Sequence, residues 1–179
     1  MASLCGDASL GFICRRRDGR AAALASRLDT AGSGSSCVVI TYETEATIDA
    51  PPSEVWKHLA DFDRHDEWSQ HFKLQGQPVV GEPGRVCFAL FGRASGAPVV
   101  IETVDEGREL RWRGGPRGLI TGSHYFILEA RDGGARTHLR HGEDFSGIIA
   151  PLVWALLKAE LGPSYSGFNA DLKRRVEGA

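Results

Sequence analysis

Two histidines and one glutamate in the second half of the chain have the side-chain types and the spacing that acid–base chemistry requires. His124 begins one strand-like run, "HYFILEA", and His141 and Glu143 stand two residues apart in the next, "THLRHGEDF". An imidazole changes its charge near neutral pH, and a neighbouring carboxylate holds it in one tautomer and raises its basicity. Such chemistry needs a fold that brings the three side chains together.

The segment between these two runs, "RDGGAR" (Arg131–Arg136), predicts a hairpin. If its two glycines form the turn, His124 lies opposite Glu143. If the preceding Asp-Gly pair forms the turn, His124 lies opposite His141, and Glu143 is a diagonal neighbour. Either register places the three side chains on one face of the sheet. The same face carries four large apolar side chains, Phe126, Leu128, Leu139 and Phe145.

A carboxylate on an apolar interior face must be paired, hydrated or protonated, because its burial alone is costly. One interpretation is a polar patch that satisfies its own hydrogen bonds at the end of the sheet. The other is a polar anchor inside a ligand cavity. Within the second, catalysis is a further alternative, with His124 or His141 as the general acid or base and Glu143 as its orienting partner.

A second hairpin, at "DEGR" (Asp105–Arg108), is predicted to have a two-residue turn. Counting back from that turn sets Ile101 opposite Trp112 and Thr103 opposite Leu110. These side chains then share one apolar face, and the charged residues between them share the other, as a half-buried sheet requires.

Apolar–polar alternation and glycine punctuation predict seven strands. The first is Val38–Ile48. Six more are predicted at 72–80, 84–91, 98–105, 108–113, 119–131 and 135–145. Because strands and helices are segregated along the chain, the fold class is α+β with an antiparallel sheet.

Helical periodicity marks two short helices after the first strand and one long helix at the end. The segment "DAPPSEVWKHLADFDRHDEW" (Asp49–Trp68) begins with prolines suited to a first helical turn and carries three aromatic residues, Trp56, Phe62 and Trp68. The long helix is predicted from Ile148 to Val176, with apolar residues recurring every three or four positions. Pro163 is expected to kink or briefly break it.

Residues 1–36 differ in composition from the rest and are assigned to a tail outside the folded domain of residues 37–179. The tail is rich in arginine and small residues and ends in a Gly/Ser stretch. Its arginines follow a weak apolar patch, the reverse of a secretory signal, and its three aspartates argue against a transit peptide. We expect this tail to be disordered, or the start codon to have been assigned too far upstream. We also expect a cytoplasmic protein.

Composition excludes several classes of function. A net charge of −2 and a pI near 6.3 provide no field for nucleic acid, so no nucleic-acid partner is expected. No apolar run approaches the length of a membrane span. The cysteines and histidines show no zinc spacing, and no phosphate-binding glycine loop is present, so we expect neither metal nor cofactor. The expected oligomeric state is monomer or homodimer.

Two long motifs carry a resemblance to a known family. "ATIDAPPSEVWKHLADFDRHDEW" resembles the opening of the START-like superfamily, also called SRPBCC or helix-grip, which includes birch-pollen-allergen-like proteins. "HYFILEA…THLRHGEDFSGIIAPL…FNADLKRRVEG" resembles the closing half of its polyketide cyclase/dehydrase members. The resemblance implies a seven-stranded curved antiparallel sheet wrapped around the long C-terminal helix, with a hydrophobic cavity between them.

The resemblance also implies a function: binding of an apolar small molecule, lipid or polyketide-like, in a cavity of roughly 300–1,000 Å³. His124, His141 and Glu143 would orient it, and the two short helices would close one end. The predicted ligand-binding residues are Trp56, Phe62, Trp68, Trp112, Phe126, Leu128, Leu139, Phe145, Leu152, Leu156 and Phe168. The alternatives are a polyketide cyclase or dehydratase without cofactor, and a protein-interaction module of the chaperone-associated type.

Overall fold

The computed structural model describes residues 39–178, and the predicted tail of residues 1–36 lies outside them. Seven antiparallel strands form one sheet in the order β1-β7-β6-β5-β4-β3-β2. The strands are β1 (Ile40–Ile48), β2 (Phe72–Gln75), β3 (Pro83–Leu90), β4 (Arg93–Asp105), β5 (Glu109–Gly114), β6 (Thr121–Arg131) and β7 (Arg136–Ser146). The helices are α1 (Pro52–Leu59), a 3₁₀ helix (Phe62–Glu67) and α2 (Ala150–Glu177), and a short 3₁₀ turn (Asp132–Gly134) connects β6 to β7.

This is the α+β helix-grip architecture that the sequence predicts. A curved sheet, a long C-terminal helix and two short helical segments after the first strand are all present. Helix α2 lies against β1, where Lys173 Nζ donates to the Thr47 carbonyl at 2.6 Å and the Tyr165 and Tyr42 rings meet edge to face. No helix in residues 39–178 has the length and apolar character that crossing a membrane requires.

The short helix α1 forms where the sequence supplies a rigid start and one apolar face. Pro51 precedes it, and Pro52 occupies its first position, where the missing N–H costs no hydrogen bond. Val55, Trp56 and Leu59 then fall on one side and are buried. The helix ends at Leu59, so the chain can turn into the 3₁₀ helix.

The β4–β5 hairpin corrects the predicted register. Asp105 pairs with Glu109, not with Arg108, because the turn has three residues and Gly107 adopts a positive φ of 72°. Thr103 consequently faces Arg111. A bulge between Ile101 and Thr103 then shifts the register back, so the predicted pair Ile101–Trp112 is confirmed.

Helix α2 continues through Pro163, so the predicted alternative of a break there is wrong. Proline removes one N–H and leaves the carbonyl four residues earlier, that of Ala159, without its helical partner. Pro163 and Ala159 both lie on the exposed face. A free carbonyl on that side can bond to solvent, and the buried side of the helix is undisturbed.

A buried histidine joins the short helices to the sheet. His65 is fully buried; its Nε2 donates to the Leu59 carbonyl at 3.0 Å, and the Leu74 amide donates to its Nδ1 at 3.3 Å. Only a neutral ring can donate from one nitrogen and accept at the other. Burial accordingly lowers the pKa of His65 to about 4.

Acidification is expected to destabilise the fold through His65. Because its pKa falls from 6.5 to about 4 on folding, the unfolded chain binds the proton first, and stability is lost as pH falls from 6.5 towards 4. At pH 5 the loss amounts to about 2 kcal/mol. Chemical denaturation at pH 7 and pH 5 measures it. His65→Gln should lose less stability over the same interval, and an equal loss in both proteins would contradict the assignment.

Candidate functional site

A cavity of about 260 Å³ lies between the sheet and α2. Strands β3 and β4, the loop after β5 and one face of α2 provide most of its wall, and that wall is largely apolar. Its volume is below the predicted range because stacked aromatic rings fill the adjoining space. Phe72, on the cavity wall, stacks on Phe168 with ring centroids 4.1 Å apart and planes 7° apart.

His124, Glu143 and Tyr165 form the polar end of this cavity. His124 lies opposite Glu143 across the β6–β7 hairpin, which is the register predicted for a Gly-Gly turn. Their closest charged atoms, His124 Nδ1 and Glu143 Oε2, are 3.7 Å apart. The Trp112 ring stacks on His124 at 4.3 Å and holds the imidazole plane in place.

A second histidine supports His124 from the core side. His141 is fully buried, and its Nε2 lies 2.9 Å from His124 Nε2. Asn169 donates to Thr44 Oγ1 at 3.0 Å, so its Oδ1 accepts from His141 Nδ1 at 2.7 Å. Burial lowers the pKa of His141 well below 6.5, so His141 is neutral and its Nε2 accepts. His124 must therefore donate from Nε2.

The Tyr165 hydroxyl links His124 to Glu143. It donates to Glu143 Oε2 and lies 3.2 Å from His124 Nδ1. Burial raises the pKa of Tyr165 well above 10, so the hydroxyl keeps its proton. Two arrangements satisfy every bond: carboxylate, hydroxyl and imidazolium, or carboxylic acid, hydroxyl and imidazole. In the first, His124 Nδ1 donates to the hydroxyl, which donates to Glu143; in the second, Glu143 donates to the hydroxyl, which donates to His124 Nδ1. The proton of each of these two hydrogen bonds therefore lies on a different atom in the two arrangements.

The second oxygen of Glu143, Oε1, differs from the other polar atoms of this cluster. Among the described residues, no hydrogen-bond donor contacts Oε1, whereas both nitrogens of His124 are engaged. Gly122 makes room for it, since a Cβ at that position would stand 2.0 Å from Oε1. His124 and Glu143 both line the cavity, and His141 lies behind His124.

Residues 39–177 match the family described as polyketide cyclase/dehydrase and lipid transport. The chain belongs to this family. No curated protein matches the sequence closely enough to indicate a relationship.

Solved structures of other proteins share the fold of this family member. Ara h 8.0201 superposes with a TM-score of 0.61 at 19% identity, covering 79% of this chain and 100% of that one. The Zhui aromatase/cyclase from Streptomyces sp. R1128 gives 0.59 at 17%, covering 78% and 96%. A START superfamily protein from Mycobacterium smegmatis gives 0.57 at 13%, covering 77% and 97%. At these identities the likeness establishes the fold alone.

Some of the residues predicted for the site of this family member line the cavity and others do not. Trp112 and Phe145 line the cavity, as predicted. Phe126, Leu128, Leu139 and Phe168 are buried but do not line the cavity. His141 does not line it either and reaches it only through His124.

Two helix positions predicted as cavity wall are wrong. Leu152 and Leu156 lie on the outer side of α2 and are 62% and 61% exposed. The wall is instead provided by Leu157 and Leu161. In the first half of α2 the inward side therefore lies one position later than predicted, a rotation of about 100° around the helix, whereas Leu161 and the residues after it lie on the predicted stripe.

The three aromatic residues of the short helical segment do not line the cavity, so their predicted place at its entrance is also wrong. Trp56 and Phe62 are buried in the hydrophobic core. Trp68 packs on Phe168 with ring centroids 5.1 Å apart. Because Phe168 in turn stacks on Phe72, this aromatic stack separates the short helices from the cavity.

Tyr165 and Asn169 are the site residues that sequence reasoning missed. Tyr165 fell on the predicted apolar stripe and was counted as core. Asn169 is buried one helical turn later on the same face. An amide on the buried face of a helix must find a partner, and that requirement was the available signal for a polar cluster at this level.

Proposed function

We propose that the protein binds an apolar small molecule in the cavity, with Glu143 and the groups behind it anchoring a hydroxyl or amino group that donates to the carboxylate. The observation that carries the proposal is a mostly apolar cavity with one polar end, where Glu143 Oε1 has no donor among the described residues. Such a combination fixes the orientation of a ligand while its apolar part provides the affinity. Membership of a family that includes lipid transport supports the same function.

Native mass spectrometry of gently purified protein tests this proposal. An apolar ligand retained through purification should add a discrete mass, which is removed by mild extraction with organic solvent and restored by adding the extract. Protein of unmodified mass, together with no uptake of an added apolar probe, would contradict the proposal.

A second candidate function is acid–base catalysis on a bound carbonyl compound. The specific observation in its favour is the chain of hydrogen bonds that joins Glu143, Tyr165 and His124. As a carboxylate, Glu143 can accept a proton from a carbon next to a ligand carbonyl, while His124 and Tyr165 stabilise the cluster in either arrangement. The proton moves from ligand carbon to Glu143 and returns when the enolate is reprotonated, so no co-reactant is needed.

The replacement Glu143→Gln separates catalysis from simple binding. With 1-tetralone as the probe, deuterium exchange of its C2 protons in D₂O, followed by NMR, should slow by about 100-fold, while the affinity for 1-tetralone stays nearly unchanged. Glu106→Gln, at an exposed turn position, removes the same charge and should leave both unchanged. Exchange no faster than in buffer, or equal loss of exchange and affinity, would favour binding alone.

A further inference from the structure

The geometry points to a ligand that carries a protonated amine on an apolar, ring-containing body. This inference rests on the proposed function and specifies the ligand class of the same cavity. The described residues that line the cavity include two glutamates, Glu143 on β7 and Glu160 on α2, and no lysine or arginine. The cavity wall therefore contains two carboxyl groups and no permanently charged cation to pair with them.

The outer face of the same sheet shows how this protein treats partly buried carboxylates elsewhere. Glu43 pairs with Arg140 at 2.9 Å, and Glu102 pairs with Arg113 at 2.6 Å. Glu109 likewise pairs with Arg111 at 2.7 Å. Each of these carboxylates is compensated by a guanidinium on a neighbouring position, which offsets its partial desolvation. The two cavity glutamates are exceptions, because no arginine or lysine lines the cavity beside them.

Internal compensation accounts for only one of the two cavity glutamates. His124 Nδ1 lies 3.7 Å from Glu143 Oε2, so an imidazolium there neutralises Glu143, and a proton on Glu143 has the same effect. Glu160 is half-buried and has no hydrogen-bond or ion-pair partner among residues 39–178. Glu160 is thus the cavity carboxyl group that has no partner among the described residues.

A ligand ammonium would meet two kinds of favourable partner in this cavity. Glu160 offers a charge-assisted hydrogen bond, which is stronger than a neutral one and strengthens further as a ligand displaces water. Phe88 and the other aromatic wall residues offer ring faces to a cation. A ligand carboxylate, in contrast, would be buried beside a like charge with no arginine or lysine to receive it.

Three probes with one shared ring system test this inference: 1-naphthylmethylamine, 1-naphthylmethanol and 1-naphthoate, which are cationic, neutral and anionic at pH 7. Calorimetric titration should show the amine binding about tenfold more tightly than the alcohol, and the carboxylate about tenfold more weakly than the alcohol. In Glu160→Gln the preference for the amine over the alcohol should fall to about twofold. Glu106→Gln removes the same charge from an exposed turn and should keep the full preference.

The other possible outcomes contradict either the inference alone or the inference together with the proposed function. Equal affinity for the amine and the alcohol, tighter binding of the carboxylate, or an amine preference that survives Glu160→Gln would overturn the inference and leave the binding function standing. If none of the three probes binds, the proposed function fails and the inference fails with it.

Discussion

Replacing Phe168 by alanine is expected to lower the free energy of unfolding by about 4 kcal/mol, the usual cost of removing a fully buried phenylalanine. Phe168 has no exposed surface and stacks on Phe72 at 4.1 Å. It also packs on Trp68 at 5.1 Å and on Phe126 at 5.3 Å. Its removal leaves a void at the junction of α2, the sheet and the short helices, and these rigid rings cannot collapse into it.

A matched change on the same helix provides the control. Leu156 is 61% exposed, so Leu156→Ala should change the free energy of unfolding by no more than about 0.5 kcal/mol. Urea denaturation of the two variants and the parent protein measures both effects. A loss of similar size in the two variants would mean that Leu156 is also buried, and it would contradict the orientation of α2 described here.

The strand pattern was predictable because alternation and glycine turns are local signals. The pairing of His124 with Glu143 was one of the two registers allowed by counting away from the glycine-rich turn, and the structure has that one. The pair Ile101–Trp112 was also correct, but through two compensating differences, a longer turn and a bulge. A bulge depends on strain between neighbouring strands and leaves no mark in a single sequence.

The inward face of α2 was predictable over its second half only. Phe168 and Leu172 lie on the predicted stripe and are buried. In the first half, apolar residues occur on two adjacent stripes, and periodicity cannot choose between Leu156 and Leu157. The choice is made by the position of the sheet edge, which is a long-range property of the fold.

The polar cluster was predictable in part. His124, His141 and Glu143 lie on one strand face, which period-two counting can show. Tyr165 and Asn169 join them from a helix more than twenty residues away in sequence. Helix-to-sheet contacts of this kind depend on how α2 is rotated about its axis. The order of the hydrogen bonds, and the lack of a donor to Glu143 Oε1 among the described residues, therefore required coordinates.

The central claim is that a ligand occupies the cavity, and a substitution that fills the cavity should abolish binding. Ala97 lines the cavity and pairs with Val86 in the sheet. In Ala97→Trp the indole would extend into a space of about 260 Å³ and occupy much of it. Added apolar surface in a preformed cavity need not unfold the protein, whereas it leaves no volume for a second ring system.

The control is Ala135→Trp, which adds the same side chain at an exposed turn between β6 and β7. Calorimetric titration of the parent and both variants with 1-naphthylmethanol tests the claim most directly. We predict that Ala97→Trp, folded by circular dichroism, binds about 100-fold more weakly, a loss of about 2.7 kcal/mol, while Ala135→Trp binds as the parent does. Undiminished binding by folded Ala97→Trp would show that the ligand lies elsewhere and would contradict the account.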